Sequence, residues 1–252
     1  MTIIEAIILG IIQGLTEFLP ISSSGHLVLG QAILGIEQPG NEFEILVHLG
    51  TLGSVIVVFF KDIKSLLLSL NSKKTQMFVL FIILGTLPAV GVGLGLKDLI
   101  ESLFENINAV GGALIFTGLV LYGSSFIHRG NKNHSYFTSI LIGCAQAVAI
   151  IPGISRSGMT ISIALYLGLS AKESARFSFL LAIPAIAGAG ILTALDVSGG
   201  FHIPIPIALS GFICSFIVGV IALKWLIGWL EQGKFHYFGI YCFMIGIITL
   251  VI

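Results

Sequence analysis

Glu17, Ser23, His26 and Arg156 place an acid, a hydroxyl, an imidazole and a guanidinium in stretches that are otherwise apolar. An ionisable side chain at membrane depth is costly, about 2.5 to 3.5 kcal/mol for arginine on insertion scales, and is a functional candidate for that reason. Arg156 sits in Pro152-Gly-Ile-Ser-Arg-Ser-Gly158, where small neighbours let a ligand reach the backbone. Its planar fork suits a phosphate. Gln13 and Glu17 are four apart and so share one helix face. Glu17 is either a buried acid or one solvated near the interface, and Gln13 and Gln146 serve as interhelical hydrogen-bonding groups or as support for the acid.

A serine-glycine turn precedes a new helix twice, near His26 and near Met159. The free N–H groups and positive dipole end of each helix make an anion site, and two facing ends would suit a diphosphate. Ser22, Ser24 and Gly25 on the first turn, with Ser155, Ser157, Gly158 and Thr160 on the second, are the candidate phosphate-binding set. At least one of the three consecutive serines is a helix cap. His26, one turn from Ser23, is a candidate base or phosphate donor. His48 and Thr160 are polar in apolar runs and read as packing or supporting groups, and His128, His134, His202 and His236 as solvated.

The two turns belong to a duplicated unit. A shift of 133 puts Gly10 on Gly143, Gln13 on Gln146, Ser22 on Ser155, Ser24 on Ser157 and Gly25 on Gly158. Ser23 then falls on Arg156, so the differing side chains should face each other across one cavity. With 56% hydrophobic and 10% charged residues and a mean hydropathy of +1.07, the chain cannot cover a soluble globule with polar surface. It reads as an integral membrane protein, with no basic patch for a nucleic acid. Cys144, Cys214 and Cys242 lie in apolar runs without metal or disulfide spacing. Residues 2–19 lack a positive n-region and are expected to stay in the mature fold.

Six apolar stretches, about 42–60, 76–96, 108–127, 174–195, 204–230 and 235–252, are long enough to cross a bilayer. The regions 2–36 and 136–169 are each broken by a serine-glycine turn and read as re-entrant hairpins, whose turns must be buried in protein or line a wet cavity. The predicted fold is an all-α polytopic membrane protein, one domain over 1–252. Six transmembrane helices and two re-entrant helical hairpins form repeats at 1–128 and 136–252. Three crossings per repeat is odd, so the second repeat is inverted. Lys61, Lys64, Lys73, Lys74, Arg129, Lys132, Lys172, Arg176, Lys224 and Lys234 fall on one side. By the positive-inside rule that side is cytoplasmic and both termini are outside.

Gln13-Gly-Leu-Thr-Glu-Phe-Leu-Pro-Ile-Ser-Ser-Ser-Gly-His26 and Pro152-Gly-Ile-Ser-Arg-Ser-Gly-Met-Thr160 closely resemble the two motifs of the bacterial undecaprenyl-diphosphate phosphatase family, also called the bacitracin-resistance protein family. The resemblance covers essentially the whole chain, including the Phe-Ser-Phe-Leu-Leu run from Phe177 to Leu181. It implies hydrolysis of undecaprenyl diphosphate to undecaprenyl phosphate and inorganic phosphate, which recycles the lipid carrier of cell-wall synthesis and confers bacitracin resistance. It further implies a divalent cation, Mg2+ or Ca2+, and an active site opening to the outer side of the bacterial plasma membrane. Glu17 would be metal ligand or general base, Arg156 the phosphate clamp, Ser23 the nucleophile or phosphate-orienting hydroxyl, and His26 its proton partner. Gln13 and Ser155 would support them. The implied partners are a polyprenyl diphosphate, membrane lipids, bacitracin as competitor for the substrate, and a second copy of the chain.

The alternative is a transporter or flippase for an anionic prenyl lipid, since inverted repeats with broken helices also build carriers. Such a carrier needs Arg156 and the helix ends but has little use for Ser23 beside His26. A type-2 phosphatidic-acid phosphatase fails on its third motif, because Ser162 and Tyr166 stand where a histidine and an acid are required.

Overall fold

Thr2 opens the first helix with a capping box: its hydroxyl accepts from the Glu5 N–H and the Glu5 carboxylate accepts from its own. The helix, α1 (Ile3–Thr16), gives way to a turn, and α2 (Ser23–Leu34) follows. At about 1.5 Å per residue the 14 residues of α1 reach roughly 21 Å, short of a hydrocarbon core of roughly 30 Å. The computed structural model describes residues 1–36, 41–104, 106–127, 130–196 and 203–251. His128, Arg129 and His202 lie outside the described residues.

Beyond the first hairpin come α3 (Asn41–Val58), α4 (Phe60–Leu68), α5 (Lys73–Gly95), α6 (Lys97–Phe104) and α7 (Ile107–Gly123), which ends in a 3-10 turn at Ser124–Phe126. The second hairpin is α8 (Tyr136–Val148) and α9 (Arg156–Tyr166), and α10 (Ala171–Asp196), α11 (Ile205–Glu231) and α12 (Tyr237–Val251) complete the order. The described residues contain no strand. Helices α8 and α9 begin 133 residues after α1 and α2, and the same shift lays α3 on α10, α5 on α11 and α7 on α12. The packing recurs as well, for α1 lies on α11, α8 lies on α5, and α7 pairs with α12.

Small residues make these contacts close. A methyl added at Gly10 would stand 2.7 Å from the Gly211 carbonyl oxygen, and one at Gly118 2.8 Å from that of Gly239. Backbones meet this closely where helices associate without a hydrophobic drive. The outward faces of the long helices carry exposed Ile83, Leu87 and Leu94 on α5 and Leu209, Ile213 and Ile217 on α11. Under the two turns sits the largest apolar cluster, where Phe18 meets Phe179 edge-to-face at 5.8 Å over Ile161, Leu223 and Leu226.

Among the described residues four helices are long and apolar enough to cross a membrane: α5, α7 with its 3-10 turn, α10 and α11. A fifth joins them if α3 and α4, bent by 69° at Phe59, count as one span, and α12 is shorter at 15 residues. The stretch after 60, beyond the end of the expected span 42–60, is helix over Phe60–Leu68. Ile63 and Leu66 of α4 pack on the core while Lys61 and Lys64 stay exposed, the pattern of a helix lying along an interface. His134 also departs from expectation. Its side chain is only 9% exposed, with its ring 4.4 Å from Phe177 and 5.9 Å from Phe78. Burial holds this imidazole below the ordinary histidine range, against the pull of Glu173 at 3.9 Å.

Candidate active site

The first turn is built from buried residues held at an unusual angle. Glu17 caps α1, its N–H donating to the Gln13 carbonyl, and Phe18, Leu19 and Ile21 fill the core beneath. The chain then reverses at Ser22, whose φ of +69° makes it the one non-glycine residue with positive φ among those described. Such a conformation costs on the order of 1 to 3 kcal/mol and persists only where the surroundings impose it. Ser22 caps α2 by accepting the Gly25 N–H, and its own carbonyl accepts from Nδ1 of His26 at 2.8 Å.

The second turn reaches the same shape by another route. Its positive φ falls on Gly153, at +92°, and Ser155 caps α9 by accepting the Gly158 N–H at 3.1 Å. Thr117, buried on α7, pins this turn twice: its hydroxyl donates to the Gly153 carbonyl and accepts from the Ser155 N–H. The cap serines are paired alike in both copies, Ser22 with Ser24 at 3.3 Å and Ser155 with Ser157 at 3.2 Å.

The turns touch. Methyls built at Gly25 and Gly158 would stand 3.8 Å from the Gly153 Cα and 3.3 Å from the Pro20 Cβ. Across this seam Arg156 donates from Nη2 to Oε1 of Glu17 at 2.6 Å, with 16% and 7% of the two side chains exposed. The other carboxylate oxygen accepts from Ser23 Oγ at 2.8 Å and from Gln13 Nε2 at 3.1 Å. His48 of α3 presents Nε2 to the same oxygen at 3.8 Å. Nη1 of Arg156 and Oε1 of Gln13 are buried without a hydrogen-bond partner. Buried polar atoms left open beside a charged pair are unusual, and here they flank the carboxylate.

The structure thus gathers Gln13, Glu17, Ser23 and Arg156 into one hydrogen-bonded set. It does not join Ser23 to His26, because the Ser23 hydroxyl is turned to Glu17 while the imidazole is engaged by the Ser22 carbonyl and by Tyr241. Gly25 and Gly158 spend their N–H groups on the cap hydroxyls. Thr160 bonds the Arg156 carbonyl and Ser178, which makes it a brace for α9. Gln146 is buried on α8 with neither amide atom in a hydrogen bond. Two residues at or behind the site escaped the reading of the sequence: Thr117 and Tyr241. Each is a polar group in an apolar run, and only its neighbours in space set it apart.

Among the described residues no three His, Cys, Asp or Glu side chains gather to hold a metal ion. The donors at the site nonetheless fit a cation shared with a phosphate, since Glu17 supplies one carboxylate and Oε1 of Gln13 an open neutral oxygen. Magnesium is commonly held in that way, by one or two carboxylates together with substrate phosphates. Beside the site an apolar groove of about 660 Å³ runs between the first hairpin and helices α11 and α12. Leu15, Trp225, Trp229 and Phe238 line it, and His26 and Tyr241 stand on its wall.

Comparison with known proteins gives this geometry a lineage. A chain from Desulfosudis oleivorans, named undecaprenyl-diphosphatase, is 42% identical over 267 residues, covering 98% of this chain and 97% of that protein. The undecaprenyl-diphosphatase of Korarchaeum cryptofilum is 43% identical over 262 residues, covering 99% of each chain. That of Desulforapulum autotrophicum is 40% identical over 274 residues, covering 100% of this chain and 98% of the relative. The family model described as bacitracin resistance protein BacA matches residues 6–248. Apolar helices and family agree on a multi-pass membrane protein, and the chain belongs to the bacitracin resistance protein BacA family.

Proposed function

We propose that the chain hydrolyses undecaprenyl diphosphate to undecaprenyl phosphate and inorganic phosphate, at the pocket where the two turns meet. One observation carries this reading: a carboxylate that binds both a guanidinium from the other turn, at 2.6 Å, and a serine hydroxyl, at 2.8 Å. A base within reach of a hydroxyl, beside a cation able to hold an anion, is the arrangement that phosphoryl transfer requires.

Ser23 Oγ attacks the terminal phosphorus and its proton passes to Glu17. The new bond is Oγ–P, and the bond broken joins that phosphorus to the bridging oxygen, so undecaprenyl phosphate leaves with the electron pair. Water then attacks the phosphoserine, giving a proton to His26; the P–Oγ bond breaks, Ser23 recovers its own proton from Glu17, and His26 releases the water's proton to solvent as inorganic phosphate leaves. Arg156 keeps Nη2 on Glu17 and turns Nη1 to the phosphate. The first turns of α2 and α9 add the positive ends of their dipoles. If Glu17 instead serves as a metal ligand, it would with Gln13 hold a divalent cation that neutralises phosphate charge. The prenyl chain lies in the groove lined by Leu15, Trp225, Trp229 and Phe238.

In the bilayer we place six crossings and two re-entrant hairpins, as inverted repeats over 1–128 and 136–252. Both termini lie outside, the Lys-rich segment 61–75 in the cytoplasm, and the pocket opens outward from a bacterial plasma membrane. Bacitracin, by sequestering the diphosphate, competes with the pocket for it. The test is release of inorganic phosphate from C55 diphosphate by detergent-purified protein, with and without chelator. Release that the chelator suppresses supports the reading and its cation. A protein that moves the labelled lipid across vesicles while releasing no phosphate is a carrier, and the reading falls.

A further inference from the structure

The hydrogen bonds of His26 fix which of its nitrogens holds the proton. Nδ1 lies 2.8 Å from the Ser22 carbonyl oxygen, which can only accept, so Nδ1 carries the hydrogen. In the neutral ring Nε2 is then a bare lone pair, and it lies 2.9 Å from the hydroxyl of Tyr241 on α12. The phenol donates. The two rings also stack, 5.7 Å between centroids and 17° between planes, so the imidazole is held in plane as well as in tautomer. Both residues line the apolar groove.

The pair is not part of the duplication. Met159 stands 133 residues beyond His26 and Asn108 stands 133 before Tyr241, so neither partner recurs in the other copy. The second copy therefore sends Tyr241 to the groove beside the first hairpin and Arg156 to Glu17.

We propose that Tyr241 is the positioning residue for His26: with the Nδ1–H tautomer set by the Ser22 carbonyl, the phenol holds the plane of the imidazole with Nε2 turned to the groove, and it gives up that nitrogen when a phosphate group arrives. The proposal rests on the hydrolase reading, since only there does Nε2 take a proton. A second hydrogen bond that orients a working histidine is worth about 10- to 100-fold where such partners have been removed from metal-bound histidines, and the lower end applies here because the stack survives removal of the hydroxyl.

Tyr241→Phe keeps the ring and loses only the hydroxyl, and Tyr122→Phe, at an exposed position of α7, serves as the control. Two readouts are taken on full-length protein in detergent: nitrogen-15 shifts of the His26 ring, and kcat and KM for phosphate release from C55 diphosphate. The expected result is a ring in the Nδ1–H form in both proteins, with the Nε2 resonance of the variant moved to that of a lone pair without its phenol donor. With it, kcat falls about 10-fold while KM stays within a factor of about two. Unchanged ring shifts in Tyr241→Phe overturn the proposal, as does a changed ring with unchanged kcat. A parent that shows the held tautomer but releases no phosphate sinks the hydrolase reading first. In that case Tyr241 only fastens a helix to the groove wall and positions nothing for catalysis.

Discussion

Arg156 and Glu17 are 139 residues apart in the chain, and Nη2 of one stands 2.6 Å from Oε1 of the other. Each is expensive to bury alone and affordable only with its partner, so the contact fastens the second turn to the first. It also leaves one prong of the guanidinium without a partner. The pair therefore links a structural requirement of the fold to the chemistry proposed for it.

If the pair is a mutual requirement, removing either charge strands the other. Glu17→Gln or Arg156→Gln alone should lower stability by about 3 to 5 kcal/mol, and the double variant should regain much of that loss. Thermal unfolding in detergent measures it. Losses that simply add in the double variant would show that the two groups do not depend on each other.

Ser23→Ala separates the attacking groups. With Ser23 as nucleophile, a phosphoserine can be trapped in the parent by quenching, and the variant loses phosphate release by at least about 100-fold. Turnover within a few-fold of the parent, with no trapped phosphoserine, would assign the attack to water and leave Ser23 an orienting hydroxyl.

Ser22 tests the strained corner. Glycine adopts a positive φ freely and substitutes at a helix cap for a few tenths of a kcal/mol, whereas alanine loses the cap at about 1 kcal/mol and keeps the strain. Ser22→Gly should therefore be at least about 1 kcal/mol more stable than Ser22→Ala. The reverse order in unfolding measurements would mean that the φ of +69° is not imposed by the fold.

Gly153 holds the second turn from the other side. A methyl there would stand 2.5 Å from the Val110 carbonyl oxygen, at a φ of +92° that alanine resists. Gly153→Ala should cost more than about 2 kcal/mol and displace Arg156 with the turn. A variant as stable and as active as the parent would contradict the close seating of the turn on α7.

The two turns were legible because polarity is scarce in this chain, so Glu17, the serines and Arg156 stood out against apolar neighbours, and the shift of 133 aligned them. The spacing of Gln13 and Glu17 foretold a shared face, and the two side chains do bond at 3.1 Å. The pairing of Ser23 with His26 was not legible. Nearness along α2 suggested it, but the Ser22 backbone claims Nδ1 and a helix more than 200 residues away supplies the partner of Nε2. Thr117 was hidden for the same reason, since it meets the site only through tertiary packing. The bend at Phe59 escaped because hydropathy records how apolar a stretch is and not the direction it takes.

The most direct test compares the parent with Arg156→Lys and Arg156→Ala in release of inorganic phosphate from C55 diphosphate, with each protein first shown to be folded. Lysine keeps the charge but not the two-pronged donor. The account predicts that the alanine variant is silent and that the lysine variant loses roughly 100-fold, as misplacing a bound group by about 1 Å would do. Lysine or alanine variants that turn over near the parent rate would contradict it.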